Sequence, residues 1–124
     1  MKEPERTNET SLYKIIQPVA DALYVLNGKW KIPILISLTH GNHRFGDIAR
    51  SISRMTDRML SKELRELETN LLVKRTVIDE IPVRIMYSIT DHGKSLHNVI
   101  TELSKWGIYH REVINKNICK PKKS

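Results

Sequence analysis

The run TDRMLSKELRELETNL at residues 56–71 constrains the fold more than any other stretch of the chain. Wound as a helix at about 100° per residue, it places Leu60, Leu64, Leu67 and Leu71 on one narrow stripe. Arg58, Lys62, Arg65 and Thr69 repeat the same spacing on the opposite side, two residues earlier. Strong helix formers fill nearly every position, and Thr56 stands where a side-chain oxygen can accept a free amide hydrogen of the first turn. The expected helix is capped at Thr56, buries its leucines in a core supplied by the rest of the chain and turns a cationic face outward. That face is either a plain solvated surface or a reader of an anionic partner, and the neighbouring segments decide between the two.

Just before it, residues 45–51 carry Phe45, Ile48 and Ala49 on one side, with Ile52 beyond, which predicts a short helix followed by a turn at residues 53–55. Two helices joined by a tight turn, the second with a basic outer face, make a helix-turn-helix whose second helix has the dimensions of the DNA major groove. After it, VKRTVID and RIMYSIT are rich in β-branched and aromatic residues and alternate at period 2. They predict two antiparallel strands, with Pro82 at the tip where pairing has ceased. A hairpin alone is marginal and must lean on the helices. The fold expected is mainly α with a small antiparallel β-hairpin, a winged helix-turn-helix with a wing at about residues 73–90.

Additional helices are expected at both ends. Leu12, Ile15, Ile16, Val19, Leu23 and Leu26 keep helical spacing, with the first tight helix expected to start at Pro18 and stop at Asn27-Gly28. Residues 1–11 read as a flexible polar leader. KWKIPILISLTHG predicts a buried helix starting near Trp30, with Pro33 tolerated in its first turn and Gly41 as its stop. From the cap at Thr90-Asp91, one helix is expected over about residues 91–117. Its Leu96, Val99, Ile100, Leu103, Trp106, Tyr109, Val113 and Ile114 exceed what a small core can cover, which points to a partner chain. Residues 118–124 form a basic tail, so residues 12–117 are read as one domain.

A chain of 124 residues with 40% hydrophobic residues is long enough for one core, and its net charge of +7 favours a polyanionic partner. No apolar run reaches the roughly 20 residues of a membrane span and no secretory signal opens the chain, so a cytoplasmic protein without a membrane is expected. The lone cysteine, Cys119, excludes an internal disulfide and a cysteine-based zinc site. His40, His43, His92, His97 and His110 have no carboxylate or thiol at metal-binding spacing and read as surface residues, so no metal or cofactor is expected. With no strained nucleophile turn and no glycine-rich phosphate loop, an enzyme is not expected either.

In this order, GKWKIPILISL at residues 28–38, the pair Arg44-Phe45, RMLSKELRELE at 58–68, LLVKR at 71–75 and YSITDHGKSL at 87–96 resemble the HxlR-type (DUF24) winged helix regulators of bacteria and archaea. Trp106-Gly107 also looks like the closing helix of that family. The resemblance implies a homodimeric, DNA-binding transcription factor paired mostly through its terminal helices. Many relatives place a cysteine before the proline of the first helix, and some sense oxidants, quinones or aldehydes with it. Gln17 occupies that position here, and an amide has no such chemistry.

The expected partners are double-stranded DNA and a second copy of the chain; no effector molecule is specified. On the recognition helix, Arg58, Lys62 and Arg65 are expected to reach guanine edges or phosphates, with Ser61 and Thr69 adding hydrogen bonds and Thr56 suiting a phosphate. Glu66 and Glu68 lie i+4 and i+3 from Lys62 and Arg65, so pairing within the helix competes with DNA. Lys29, Lys31 and Arg44 are expected to clamp backbone phosphates. Arg84 is expected to carry the wing contact, Asp79 and Glu80 resisting phosphate beside it. The expected dimer interface comprises Leu12, Ile15, Leu96, Val99, Ile100, Leu103, Trp106, Tyr109 and Val113. Two other readings of the same fold are a protein-interaction module docking an acidic partner and a nonspecific DNA binder.

Overall fold

Three leucines fix where the core lies. Leu60, Leu64 and Leu67 leave one side of the basic helix and meet Ile34, Leu35 and Leu38 from a second helix, Ile48 from a third, and Leu72 and Val73 from the start of the hairpin. The computed structural model describes the backbone of residues 2–119 and the side chains of residues 11–118. In chain order the elements are α1 (Lys2–Val25), α2 (Lys31–Thr39), α3 (Phe45–Ser51), α4 (Asp57–Thr69), β1 (Val73–Ile78), β2 (Arg84–Ile89), α5 (Asp91–Lys94) and α6 (His97–Cys119).

Local chemistry sets most of these boundaries. Trp30 is the N-cap of α2, and Pro33 sits in the first turn, where amide hydrogens have no intrahelical acceptor. Gly28 and Gly41, at φ of +85° and +96°, bracket that helix in the left-handed conformation that lacks a steric cost only for glycine. The strands pair antiparallel in the register Val73↔Ile89 through Ile78↔Arg84. Only the base of this hairpin enters the core; the rest projects as a wing, so the expected alternation of buried and exposed residues stops after Val73. A third edge lies beside β2, unannounced by the sequence: Arg44 bridges to Met86, and the Tyr87 amide donates to the His43 carbonyl at 2.8 Å. His43 is therefore half-buried rather than a surface residue, and its Nδ1–H donates to the Tyr87 carbonyl at 3.1 Å.

Three further expectations change. First, α1 is continuous from Lys2 through Pro18, where the sequence suggested a leader and a helix start at Pro18. Proline removes one backbone bond, and on this exposed helix water can satisfy the carbonyl left over. Second, Leu71 leaves the stripe. The helix ends at Asn70, Leu71 adopts φ +63° and is 69% exposed, and Leu72 takes the core position instead. The Leu72 amide bonds the Leu67 carbonyl at 2.9 Å and the Leu71 amide bonds that of Glu68 at 3.0 Å, a Schellman ending with leucine where glycine is usual. Third, the expected helix over residues 91–117 breaks at Ser95-Leu96 into α5 and α6. Thr90 caps α5 by accepting the Gly93 amide and donates its own hydroxyl to the Leu71 carbonyl at 2.6 Å. Gly93 is pressed so close to the hairpin that an added Cβ would lie 2.3 Å from the Leu72 carbonyl oxygen. Of the expected basic tail, residues 120–124 lie outside the described residues.

Candidate nucleic-acid interface

The core holds α4 so that its other side is open to solvent. Met59 donates its amide to Thr56 Oγ1 at 3.1 Å, fixing the first turn. That bond uses the threonine oxygen as acceptor and leaves its hydroxyl hydrogen without an acceptor among the described residues. Arg58, Ser61, Lys62, Arg65 and Thr69 line one shallow surface depression along α4 together with Met59 and Glu66. Thr69 already donates its hydroxyl to the Arg65 carbonyl at 2.9 Å, so it can only accept from a ligand. Arg58 and Arg65 make no ion pair among the described residues, and both are exposed. They are free to present planar, five-donor guanidinium groups to a carboxylate, a phosphate or a guanine edge.

Lys31 is not at the surface. Only 2% exposed, its Nζ donates to Glu63 Oε1 and Glu66 Oε1, each at 2.6 Å, and to Asn27 Oδ1 at 3.1 Å. All three ammonium protons are thus satisfied inside the fold, and the expected phosphate clamp at Lys31 is withdrawn. The sequence put Lys31 beside Lys29 at a helix mouth but held no signal that two glutamates from α4 would meet it. Burial pushes the Lys31 ammonium down, yet the hydrogen bonds and charges of Glu63 and Glu66 outweigh it and hold the group above its ordinary value. Hydrogen bonds from Lys31 and then Lys62 hold the Glu66 carboxyl below the usual range. Lys62 is exposed but engaged, 3.0 Å from Glu66 Oε2 and 3.7 Å from Glu63 Oε2.

The remaining candidate cations are carried by other elements. Lys29 lies over the Trp30 ring at 4.9 Å and is exposed. Arg44 is exposed at the N-cap of α3, beside β2. Arg84 is half-exposed and its Nε donates to Glu80 Oε1 at 3.1 Å, so the acid expected to repel phosphate instead holds the arginine. Such a surface pair is weak and can exchange for a phosphate. Three exposed cations escaped the sequence reading: Arg54, at φ +70° in the turn between α3 and α4, and Lys74 and Arg75 on the wing. Arg54 had a signal, since a turn inside a helix-turn-helix lies beside its second helix; Lys74 and Arg75 are exposed together only because the wing projects.

The two terminal helices carry a different surface. Leu12, Ile15, Val99, Leu103, Trp106 and Tyr109 are 47–68% exposed in the single chain. Trp106 stacks on His110 with ring centres 4.8 Å apart. Leu96 and Ile100, also expected at a dimer interface, are half-buried against the chain's own core. Val113 is half-buried. Gln17 donates its amide to Asp21 at 2.7 Å, an ordinary i,i+4 contact. No helix among the described residues is long and apolar enough to cross a membrane, and no cluster of metal-binding side chains occurs among them.

Residues 25–115, the span from the end of α1 through most of α6, match the HxlR-like helix-turn-helix family. The chain belongs to that family. Similar curated proteins include the HTH-type transcriptional regulators YtcD and YvaP of Bacillus subtilis (strain 168). YtcD is 37% identical over 92 residues, covering 74% of this chain and 73% of YtcD. YvaP is 44% identical over 85 residues, covering 68% of this chain and 79% of YvaP. Among solved structures, the redox regulator HypR in its reduced form superposes with a TM-score of 0.74 at 34% identity, over 80% of this chain and 98% of HypR. A transcriptional regulator of the MarR family from Enterococcus faecalis V583 superposes with a TM-score of 0.71 at 32% identity, over 81% of this chain and 91% of that one. As an HxlR-like protein the chain shares the winged helix fold of helix-turn-helix transcriptional regulators, a class of DNA-binding proteins rather than enzymes.

Proposed function

We propose that this HxlR-like protein is a sequence-specific transcriptional regulator that binds a palindromic operator as a homodimer. The observation that carries the reading is the division of α4: Leu60, Leu64 and Leu67 are buried while Arg58 and Arg65 are exposed and unengaged among the described residues. A helix held by its apolar side on a rigid core, with free guanidinium groups on the other, fits the major groove, where arginine reads guanine O6 and N7. Thr56 and the first-turn amides suit a phosphate. Arg44, Lys29 and the wing cations Lys74, Arg75 and Arg84, all on the surface, are the proposed backbone contacts. Two such helices need a spacing of about 34 Å to occupy successive grooves, and the exposed apolar residues of α1 and α6 supply a surface for pairing two copies.

Footprinting on the DNA upstream of the protein's own gene tests this. Selective protection of a palindromic site is expected, with Arg58→Ala costing about 1–3 kcal/mol and relaxing the sequence preference. Uniform, unselective protection that Arg58→Ala leaves unchanged refutes it.

A further inference from the structure

Granted that α4 is the DNA-facing helix, we infer that Glu66, anchored by the buried Lys31, holds Lys62 off the DNA, so that Arg58 and Arg65 carry the contact. The two oxygens of one carboxylate do different jobs: Oε1 accepts from Lys31 at 2.6 Å, and Oε2 lies 3.0 Å from the Lys62 ammonium. Glu63 repeats the pattern, Oε1 on Lys31 at 2.6 Å and Oε2 at 3.7 Å from Lys62. Two ammonium groups and two carboxylates thus form one cluster of zero net charge, its inner half buried and its outer half on the DNA-facing surface.

An isolated i,i+4 pair on a helix is weak, and a phosphate displaces it readily. The pair here differs because the glutamate cannot swing away. Its other oxygen is fixed to an ammonium that is 2% exposed and has no proton to spare, since Asn27 takes the third. A phosphate approaching Lys62 therefore meets the Glu66 carboxylate, whose side chain is 40% exposed. Arg58 escapes this field: it lies two helical turns away, about 12 Å along the axis, beyond the screening length of roughly 8 Å at physiological salt. Arg65 points about 100° around the helix from Glu66. The consequence is selective. A lysine is a point charge attracted to any phosphate, whereas an arginine fork matches a guanine edge. Neutralising the lysine and sparing the arginines trims sequence-independent attraction and leaves the groups that read sequence.

The experiment measures the affinity of the full chain for its operator and for an unrelated duplex across a salt series. Lys62→Met is expected to leave the slope of log affinity against log salt unchanged. Glu66→Gln, whose amide oxygen still accepts from Lys31, is expected to strengthen binding to the unrelated duplex. Its slope should steepen by about 0.9, one added phosphate contact. The double variant Glu66→Gln/Lys62→Met should return to the original slope. The inference is overturned if Lys62→Met alone flattens the slope by about 0.9, or if the Glu66→Gln gain persists in the double variant as a general change in net charge. Should Glu66→Gln fail to fold, the exposed Lys62→Met still decides. Arg58→Ala in the same series separates the two readings. If it costs affinity while Lys62→Met costs as much, only the inference fails; if it changes nothing, the DNA-reading role of α4 fails with it.

Discussion

Replacing Lys31 by methionine removes a buried ammonium while keeping an unbranched side chain of similar length, so it separates charge from volume. The stranded groups can be followed one by one. Asn27 is exposed and regains water, and Glu66 keeps Lys62 at 3.0 Å and its partial access to solvent. Glu63, with its side chain 11% exposed, is left with only Lys62 at 3.7 Å. Breaking a buried pair costs about 3–5 kcal/mol when the remaining charge has no compensation. With one of the two carboxylates resolvated, the low end, about 3 kcal/mol, is expected. The double variant Lys31→Met/Glu63→Leu strands no buried charge and should recover all but about 1 kcal/mol of it. The pH dependence adds a signature. Glu66 sits below its ordinary 4.5 in the folded chain, so its contribution is present above that pH and disappears as pH falls through the lowered value. Lys31 sits above its ordinary 10.5, so its contribution is present below that pH and is lost as pH rises through the raised value. The deficit of Lys31→Met should therefore be widest between these limits and narrow in acid. Urea unfolding followed by circular dichroism at fixed protein concentration measures it, fixed because self-association also shifts the midpoint. A deficit below about 1 kcal/mol at neutral pH, or one that does not shrink in acid, refutes the reasoning.

Two other substitutions probe the frame around the interface. Gly93→Ala should destabilise by about 1–3 kcal/mol, because its Cβ would meet the Leu72 carbonyl oxygen at 2.3 Å and α5 must lift from the hairpin; the same unfolding assay measures this, and a neutral variant would contradict the close approach. Leu103→Glu, on a side chain 50% exposed in the single chain, should leave each chain folded but shift sedimentation toward the monomer and weaken operator binding; an unchanged dimer would remove α6 from the pairing surface.

Much of the local structure was legible in the chain. Thr56 does cap α4, α3 does span Phe45–Ser51, and the hairpin pairs the two segments rich in β-branched residues, because capping, periodicity and strand preference act over a few neighbouring residues. Where a local rule competed with a longer-range one, reading failed. Pro18 looked like a helix start but lies inside α1, since an exposed helix tolerates one missing bond. Leu71 kept the leucine period yet lost its burial, because the chain must turn there to place Leu72 and Val73 under the wing. Leu96 and Ile100 share spacing with Leu103 and Trp106 but pack against the core, which the exposed residues farther along α6 do not reach.

The interface divides the same way. The sequence by itself determined that a capped helix with a basic face follows a short helix and precedes a wing, because those features depend on side-chain period and composition alone. Only the tertiary structure decided that Lys31 is spent inside the fold. Lys31 is neutralised by carboxylates 32 and 35 residues away, whereas the Lys62–Glu66 pair, four residues apart on one helix, was legible in the chain. A charge is available or spent according to what lies within about 3 Å of it, and for Lys31 that distance is set by packing between elements rather than by order along the chain.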